Sequence, residues 1–150
     1  MTDDTGLQGV DSTAGRSDVV DLARAVYAHA GAMNIDALGE MCADDIVMTL
    51  PFAPPGWVAT HRGKEAVVAF QRRAARSFAS FTMTVDRVLA ANGDTAVVEA
   101  QSVGTTQNGR RYENRYCTIL EFDRAGLIVR WTEYYDPRAV LDAFGPRDER

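Results

Sequence analysis

Apolar and polar residues alternate most regularly near the carboxyl end of the chain, in the stretch VRWTEYYDP at positions 129–137. Its β-branched and aromatic residues predict a strand, and the proline marks where that strand stops. Successive strand residues point to opposite faces, so one face carries Val129, Trp131, Glu133 and Tyr135. Glu133 is therefore a single carboxylate within a large apolar surface, which makes it either an exposed residue or a site residue.

In the first half of the chain, apolar residues follow helical spacing instead. Residues 1–16 are polar and aperiodic, so we expect a disordered tail there. Ser17 or Asp18 caps a first helix, and Asn34 caps a short second one. Gly63 opens a third helix. That helix is expected to bury Val67, Phe70, Ala74 and Phe78, and to expose Arg72, Arg73 and Arg76.

Strand patterns fill most of the remaining chain. A short strand at 46–50 is followed by the proline-stiffened loop PFAPPGW, whose Phe52 and Trp57 are expected to close over apolar surface. A meander of four antiparallel strands is predicted at 81–90, 95–105, 110–122 and 127–135. Asp136 then caps a closing helix. Helices followed by an antiparallel meander predict an α+β fold.

Two turns give an expected register for the last three strands. A two-residue type I′ turn at Asn108-Gly109 pairs Gln101 with Tyr116. A turn that pairs Phe122 with Leu127 places Glu133 opposite Tyr116 as well. The predicted row across the sheet is therefore Gln101, Tyr116 and Glu133, with Glu99 and Asn114 on the same face.

The opposite orientation of the 95–105 strand stays open, because a one-residue slip turns Val98, Ala100 and Ser102 inward instead. The outer face of the 110–122 strand also carries Cys117 and Ile119 beside its charged residues. Apolar residues there predict that part of this face is covered, as it would be in a homodimer formed through the outer side of the sheet.

Composition and charge narrow the class of protein. A chain of 150 residues fits one domain with a core large enough to enclose a pocket. The net charge of −5 argues against nucleic acid or an anionic membrane as the main partner. No apolar run approaches the roughly 20 residues of a membrane span. Cys42 and Cys117 match no metal or redox motif, so we expect reduced thiols in a cytoplasmic protein.

The order of elements, the GKEA opening of the third helix and the ending WTEYYDP resemble the nuclear transport factor 2-like superfamily. Within it the chain is similar to the SnoaL-like polyketide cyclase group. The resemblance covers residues 17–145 and leaves 1–16 and 146–150 as tails. It implies a cone-shaped barrel, in which a curved antiparallel sheet wraps on N-terminal helices around an apolar cavity, commonly in a homodimer.

The resemblance also implies roles for individual residues. Glu133 matches an acid that does chemistry in the cyclase and epoxide-hydrolase relatives, and His61 matches a histidine of the phenazine-biosynthesis A/B proteins. The Arg-x-Asp pair of the epoxide hydrolases is replaced by Glu99-Ala100-Gln101, which argues against their mechanism. Met48 and Thr49 lack the first-strand carboxylate of the ketosteroid isomerases.

A carboxyl group in an apolar cavity has a raised pKa and can shuttle protons near neutral pH. The sequence therefore predicts a cofactor-free, metal-free enzyme that isomerises, cyclises or dehydrates a hydrophobic carbonyl compound. The predicted catalytic residues are Glu133, Tyr116 and His61. The predicted substrate-binding residues are Gln101, Asn114, Glu99, Trp131, Tyr135, Trp57, Phe52, Met48 and Tyr27.

Several alternatives stay open at this point. Glu133 is a structural residue if it only binds Tyr116, and His61 is a solvated loop histidine if it does not reach the cavity. The large apolar residues form a wall under either interpretation, because packing alone does not separate cavity from core. The whole chain is a non-catalytic ligand-binding or protein-interaction module of the same fold if no chemistry occurs.

Overall fold

The structure is a computed structural model that describes residues 12–146, with side chains from Asp18 onward. The outer parts of the two predicted tails, 1–11 and 147–150, lie outside the described residues. The helices are α1 (Ser12–Gly31), α2 (Ile35–Glu40), α3 (Lys64–Arg76) and α4 (Pro137–Phe144). The strands are β1 (Cys42–Thr49), β2 (Thr60–Arg62), β3 (Phe78–Ala91), β4 (Thr95–Thr106), β5 (Arg111–Phe122) and β6 (Ile128–Tyr135).

Several element boundaries differ from those predicted: β1 begins at Cys42 instead of residue 46, and the short strand β2 was not predicted. Helix α1 begins at Ser12, although residues 12–16 were expected to belong to the tail; these residues contain no proline that would stop a helix. Phe78 begins β3 instead of ending α3, because α3 stops at its cap residue Ser77. Asn34 and Asp136 cap α2 and α4 as predicted, each accepting a hydrogen bond from a backbone N–H two or three residues later.

The six strands form one sheet in the order β2-β1-β6-β5-β4-β3. Neighbouring strands are antiparallel except β1 and β6, which are parallel. Helix α1 crosses β3 and β4, and α3 covers β1, so the helices pack on the inner face of the curved sheet. The expected α+β fold, with a curved sheet wrapped on N-terminal helices, is confirmed.

No helix in residues 12–146 is long and apolar enough to cross a membrane.

The predicted pairing of β4 with β5 is wrong by one residue. Tyr116 pairs with Ala100 instead of Gln101, and Asn114 pairs with Ser102. A one-residue shift turns every side chain of β4 to the other face. The inner face of β4 therefore carries Val98, Ala100 and Ser102, which are all buried.

The turn between β4 and β5 explains this shift. The N–H of Thr106 donates to the carbonyl oxygen of Arg110 at 2.9 Å, so the loop contains three residues instead of two. Gly109 has a φ of 79°, whereas Asn108 does not adopt the positive φ that a type I′ turn requires. A three-residue loop that ends with a left-handed glycine is the usual alternative.

The pairing of β5 with β6 differs by two residues. Glu133 pairs with Thr118 instead of Tyr116, and Tyr116 pairs with Tyr135. Phe122 pairs with Ile128 because the loop is one residue longer than predicted, and a bulge adds the second residue. A shift of two residues leaves each side chain on its predicted face, so Glu133 lies on the inner face as predicted.

Candidate active site

Glu133 lies on the inner face of β6, between α1 and β5. Its Oε1 atom accepts a hydrogen bond from the Thr118 hydroxyl at 3.3 Å and another from the Tyr27 hydroxyl at 3.4 Å. The Tyr27 oxygen also lies 2.5 Å from Thr118 Oγ1, so its single proton is shared between Thr118 Oγ1 and Glu133 Oε1. Both partners are buried, so they fix one oxygen of the carboxyl group. The other oxygen, Oε2, accepts no hydrogen bond from the side chains that the structure describes.

Burial is the main influence on the charge of Glu133. It raises the pKa of this carboxyl group from its ordinary value to about 7, although the nearby polar groups of Trp131, Thr118 and Tyr27 lower the pKa. The indole Nε1 of Trp131 is buried and makes no hydrogen bond with the described residues. A carboxyl group with such a pKa takes up and releases protons at neutral pH.

Two cavities meet at Glu133. The inner cavity, of about 130 Å³, is bounded by α1, α3 and the sheet. The outer cavity, of about 410 Å³, is bounded by the loop 50–58, α3 and α4. The inner wall includes Tyr27, Met83, Tyr112, Tyr116 and Trp131. The outer wall includes Trp57, Val58, His61, Arg73, Tyr135 and Val140. Both cavities are lined by Phe70, Ala74, Phe78 and Glu133.

A second polar group in the inner cavity is a chain of three hydroxyls, which we call the hydroxyl chain: Tyr112, Tyr116 and Ser102. The Tyr116 oxygen lies 2.8 Å from Ser102 Oγ and 2.9 Å from the Tyr112 oxygen. Burial raises the pKa of Tyr112 to about 12 and that of Tyr116 further, so both phenols are protonated donors at neutral pH.

Asn114 supports this chain but does not line either cavity. Its Oδ1 accepts hydrogen bonds from the backbone N–H groups of Arg115 at 2.8 Å and Asp136 at 2.9 Å. Its Nδ2 donates to the Tyr112 hydroxyl at 3.0 Å and to the carbonyl oxygen of Asp136 at 3.1 Å. The amide therefore has no hydrogen-bonding capacity left for a substrate. The prediction that Asn114 binds substrate is wrong, because this residue joins β5 to the start of α4.

His61 lies on β2, opposite Met48, and lines the outer cavity. Only 8% of its surface is exposed, and its ring stacks on Phe70 with 4.3 Å between ring centres. Burial lowers its pKa, and the charge of Arg73 lowers it further, so His61 is neutral at neutral pH. Its Nε2 is buried and makes no hydrogen bond with the described residues. The alternative of a solvated loop histidine is wrong.

The predicted apolar wall is only partly a cavity wall. Tyr27 and Trp131 line the inner cavity, and Trp57 and Tyr135 line the outer one. Met48 is fully buried in the core and reaches neither cavity. Phe52 lines neither cavity, because its ring packs edge-on against Tyr134 on the outer side of β6, with ring centres 5.4 Å apart. Substrate contacts by Met48 and Phe52 are therefore not supported.

The predicted cavity orientation of Glu99 and Gln101 is wrong. Glu99 accepts two hydrogen bonds from the Arg87 guanidinium, at 2.8 and 3.0 Å, on the outer face of the sheet. Gln101 donates to Asp86 at 2.9 Å on that same face. The one-residue shift between β4 and β5 is the cause.

Sequence reasoning missed four residues near the site. Thr118 and Tyr112 have inward positions on β5, and Ser102 has one on β4, but hydroxyls at such positions resemble ordinary core residues. Arg73 is exposed, as predicted for that face of α3, but it also lines the outer cavity. Correct strand register would have paired Thr118 with Glu133 and turned Ser102 inward. No cluster of three or more potential metal ligands occurs in the part of the chain that the structure describes.

Comparisons with known proteins agree with this architecture. An uncharacterised protein of Bacillus subtilis, YesE, is 29% identical over 108 residues, which cover 71% of this chain and 73% of that one. A PhzA/B-like protein of Pseudomonas aeruginosa, PA3332, is 28% identical over 100 residues, covering 66% and 70%. The expected similarity to phenazine-biosynthesis proteins is thereby confirmed.

Solved structures give the same fold. A Bacillus subtilis protein suggested to be an isomerase has a TM-score of 0.72 at 28% identity, covering 86% of this chain and 94% of its own. A protein of Jannaschia sp. CCS1 suggested to be a SnoaL-like polyketide cyclase has a TM-score of 0.75 at 18% identity, covering 93% and 99%. Rv0760c of Mycobacterium tuberculosis, solved with estradiol-17β-hemisuccinate, has a TM-score of 0.68 at 20% identity, covering 81% and 96%.

The family model for the SnoaL-like domain matches residues 23–131, which is more than half of the chain. That range begins in α1 and ends in β6, so it includes α2, α3 and the first five strands but neither Glu133 nor α4. Its last matched residue, Trp131, lies two positions before Glu133 on the same face of the strand. The chain belongs to the SnoaL-like domain family.

Proposed function

We propose that this protein is a cofactor-independent enzyme that moves a proton on a hydrophobic carbonyl compound, with Glu133 as the general acid and base. The observation that carries the proposal is the position of one carboxyl group, with a pKa of about 7, at the junction of two largely apolar cavities. Its Oε1 is held by protein donors, and its Oε2 is left for a substrate.

The chemistry begins with a C–H bond next to the substrate carbonyl. Glu133 Oε2 takes the proton, and the bonding electrons form a carbon–carbon double bond while the carbonyl oxygen gains negative charge. If Glu133 returns the proton to a different carbon, the product is an isomer. If the enolate carbon instead attacks a second carbonyl of the same molecule, a carbon–carbon bond closes the ring, and the alkoxide formed takes the proton back from Glu133. Loss of water from this hydroxy ketone then gives a dehydrated ring.

The hydroxyl chain supplies the donor that the developing oxyanion needs. Its three hydroxyls hold three protons, and the two bonds between them use two. Asn114 adds a further donor to Tyr112 and takes no proton from the chain. One hydroxyl proton is thus left without an acceptor among the described side chains. When Tyr112 or Tyr116 carries this proton, it is available to a substrate oxygen, because both phenols line the inner cavity.

The proposed substrate is a flat, mostly apolar compound of the polyketide type. Aromatic and aliphatic side chains dominate both cavity walls, which suits such a ligand. The steroid ester bound by Rv0760c is a ligand of comparable character in a protein of the same fold. His61, neutral and buried in the outer wall, is proposed as a second residue in contact with the substrate.

We also propose that the protein acts in the cytoplasm as a homodimer formed through the outer face of the sheet. On that face Leu89, Val97 and Ile119 form an apolar row across three strands. Val103, 45% exposed, lies on the same face of β4 but is separated from this row by Glu99 and Gln101. Light scattering coupled to gel filtration measures the mass directly, and a monomer at micromolar concentration would contradict this part of the proposal.

The test of the enzymatic proposal is chromatography with mass detection on a panel of β-keto, enone and quinone-like compounds. Each compound is incubated with wild type, with Glu133→Gln and with Glu99→Gln. Both substitutions remove one acid and keep its shape, but Glu99 lies on the outer face. We expect Glu133→Gln to lower the rate by about 100-fold or more and Glu99→Gln to leave it within about twofold.

Equal conversion by wild type and Glu133→Gln would overturn the catalytic role of Glu133. Binding without conversion, at equal affinity in all three proteins, would favour the alternative of a non-catalytic ligand-binding module. Tyr116→Phe tests the hydrogen-bond donor independently of the base. We expect this variant to react more slowly, while the apparent pKa of the lower limb of its pH–rate profile stays unchanged, because that limb reports the ionisation of Glu133.

A further inference from the structure

The outer cavity contains a positive charge that the proposed proton transfer does not use. Among its lining residues Arg73 and Glu133 are the charged ones, and His61 is neutral. The other lining residues are apolar, aromatic or hydroxyl-bearing, as with Trp57, Ser77 and Tyr135. An arginine placed against such a wall attracts an anionic group, because a carboxylate satisfies the guanidinium with two parallel hydrogen bonds.

Arg73 differs from the two other arginines of α3. Arg72 is paired with Asp36 on the far side of the helix, and Arg72 and Arg76 both lie at a separate surface depression near α2. Arg73 forms no ion pair with any carboxylate in residues 18–146. Its charge is therefore not neutralised by the described part of the protein.

A distance and an electrostatic effect also place the Arg73 guanidinium at the cavity wall. Its central carbon lies 6.0 Å from the centre of the Phe70 ring, which lines both cavities. Phe70 stacks on His61, and the charge of Arg73 lowers the pKa of that histidine. The guanidinium thus lies beside an aromatic pair that forms one side of the outer cavity.

We propose that Arg73 forms a subsite for a carboxylate of the ligand, so that the preferred substrate is an apolar ring compound with a carbonyl group near Glu133 and a carboxylate at the outer end. This inference rests on the proposed function for the position of the reacting carbonyl. The subsite itself depends only on the outer cavity. A ligand of this class spans the junction, with its ring against Phe70 and its acid group at Arg73.

A consequence for Glu133 follows from charge alone. A bound carboxylate in the outer cavity disfavours a second negative charge at Glu133, so it promotes the protonated form of that residue. Because the proposed reaction starts with ionised Glu133, an acidic substrate needs a higher pH than a neutral substrate of the same shape for the first proton transfer.

A binding experiment with a matched pair of probes tests the subsite. 2-Naphthoic acid and 2-naphthamide have nearly the same shape, but only the acid is negatively charged at neutral pH. Their affinities are measured by isothermal titration calorimetry for wild type, Arg73→Gln and the control Arg72→Gln. Both arginines are exposed side chains of α3, and only Arg73 lines the outer cavity.

We expect wild type and Arg72→Gln to bind the acid about tenfold more tightly than the amide. In Arg73→Gln this preference should disappear while the affinity for the amide changes by less than about twofold. Arg73→Lys, which keeps the charge but not the paired donors, should retain part of the preference. The subsite would be overturned if Arg73→Gln kept the preference for the acid. It would also be overturned if wild type bound the two probes equally, or bound neither at millimolar concentration.

The same titration with Glu133→Gln separates this inference from the proposed function. If the subsite is correct, the preference for the acid persists or increases in that variant, because the variant keeps Arg73 and removes a competing negative charge. Failure of the catalytic proposal would appear only in the conversion assay and would leave this preference intact. Loss of the preference in Glu133→Gln would contradict the assignment of acid binding to Arg73.

Discussion

Asn114 donates from Nδ2 to the hydroxyl of Tyr112 over 3.0 Å, and the orientation of its amide is fixed by two backbone N–H groups that bind Oδ1. A flipped amide would place its NH2 group against both of those donors. The oxygen of Tyr112 consequently accepts a hydrogen bond from the Asn114 amide. A residue outside the cavities thereby helps to make the hydroxyl chain a net donor toward the inner cavity.

Replacing Asn114 should therefore be costly for stability. Asn114→Ala leaves the buried polar groups at the junction of β6 and α4 without partners, and we expect a loss of roughly 2–4 kcal/mol. Urea unfolding followed by circular dichroism measures the change. Gln101→Ala is the control, since it removes a similar amide from the outer face and should cost less than about 0.5 kcal/mol. Similar losses for both variants would contradict the joining role of Asn114.

The raised pKa of Glu133 predicts a pH-dependent stability. The folded state holds the proton more tightly than the unfolded chain, so this stabilising contribution is complete below the ordinary pKa of 4.5 and is lost as pH rises to about 7. Between pH 5 and pH 8, wild type should lose about 2 kcal/mol relative to Glu133→Gln. Urea midpoints at both pH values measure this difference. A constant difference between the two proteins would show that the carboxyl group is not desolvated.

The hydroxyl of Tyr27 should hold the pKa of Glu133 down. Tyr27→Phe removes one donor from the carboxylate, so the pKa of Glu133 should rise further above its ordinary value. Carbon-13 NMR of the labelled side-chain carboxyl group follows this titration. Tyr116→Phe is the comparison, because Tyr116 bonds to Ser102 and Tyr112 instead of Glu133. An equal rise in both variants would point to a general change in burial instead.

Gly104 should not tolerate a side chain. An added Cβ would lie 2.6 Å from the backbone oxygen of Ser80 on β3, so Gly104→Ala must move one strand against the other. We expect a loss of roughly 1–3 kcal/mol in urea unfolding. Gly109→Ala meets open space and is strained only by its φ of 79°, so it should lose about 1 kcal/mol. A larger loss at Gly109 than at Gly104 would contradict the close approach of β3 and β4.

The sequence predicted the inward orientation of Glu133 correctly and that of Gln101 wrongly, for the same physical reason. Strand alternation has a period of two, so the two-residue error between β5 and β6 kept Glu133 on the inner face. The one-residue error between β4 and β5 turned Gln101 outward. The length of the loop decides whether the register error is odd or even. An Asn-Gly sequence does not fix that length, because it occurs in loops of two and of three residues.

The partners of Glu133 had no local signal in the sequence. Tyr27 lies 106 positions earlier, and its contact depends on how α1 crosses the sheet. The sequence predicted Tyr27 as part of the apolar wall but not as a partner of Glu133; it is buried and lines the inner cavity. Similarly, the parallel pairing of β1 with β6 was not predicted, because it joins the first and last strands of the fold. Helix caps such as Asp136 were predictable because they depend on neighbouring residues alone.

The loop that carries Trp57 and Val58 is closed at its base by a 2.7 Å bond from the Leu50 N–H to the Ala59 oxygen. Substitutions in residues 51–58, between Leu50 and Ala59, should therefore leave the pairing of β1 with β2 intact. The carboxyl group and its two hydroxyl partners lie on other elements, α1, β5 and β6. Duplicated copies of this gene could therefore diverge in the ligand that the outer cavity accepts through substitutions in this loop alone, without any change at Glu133.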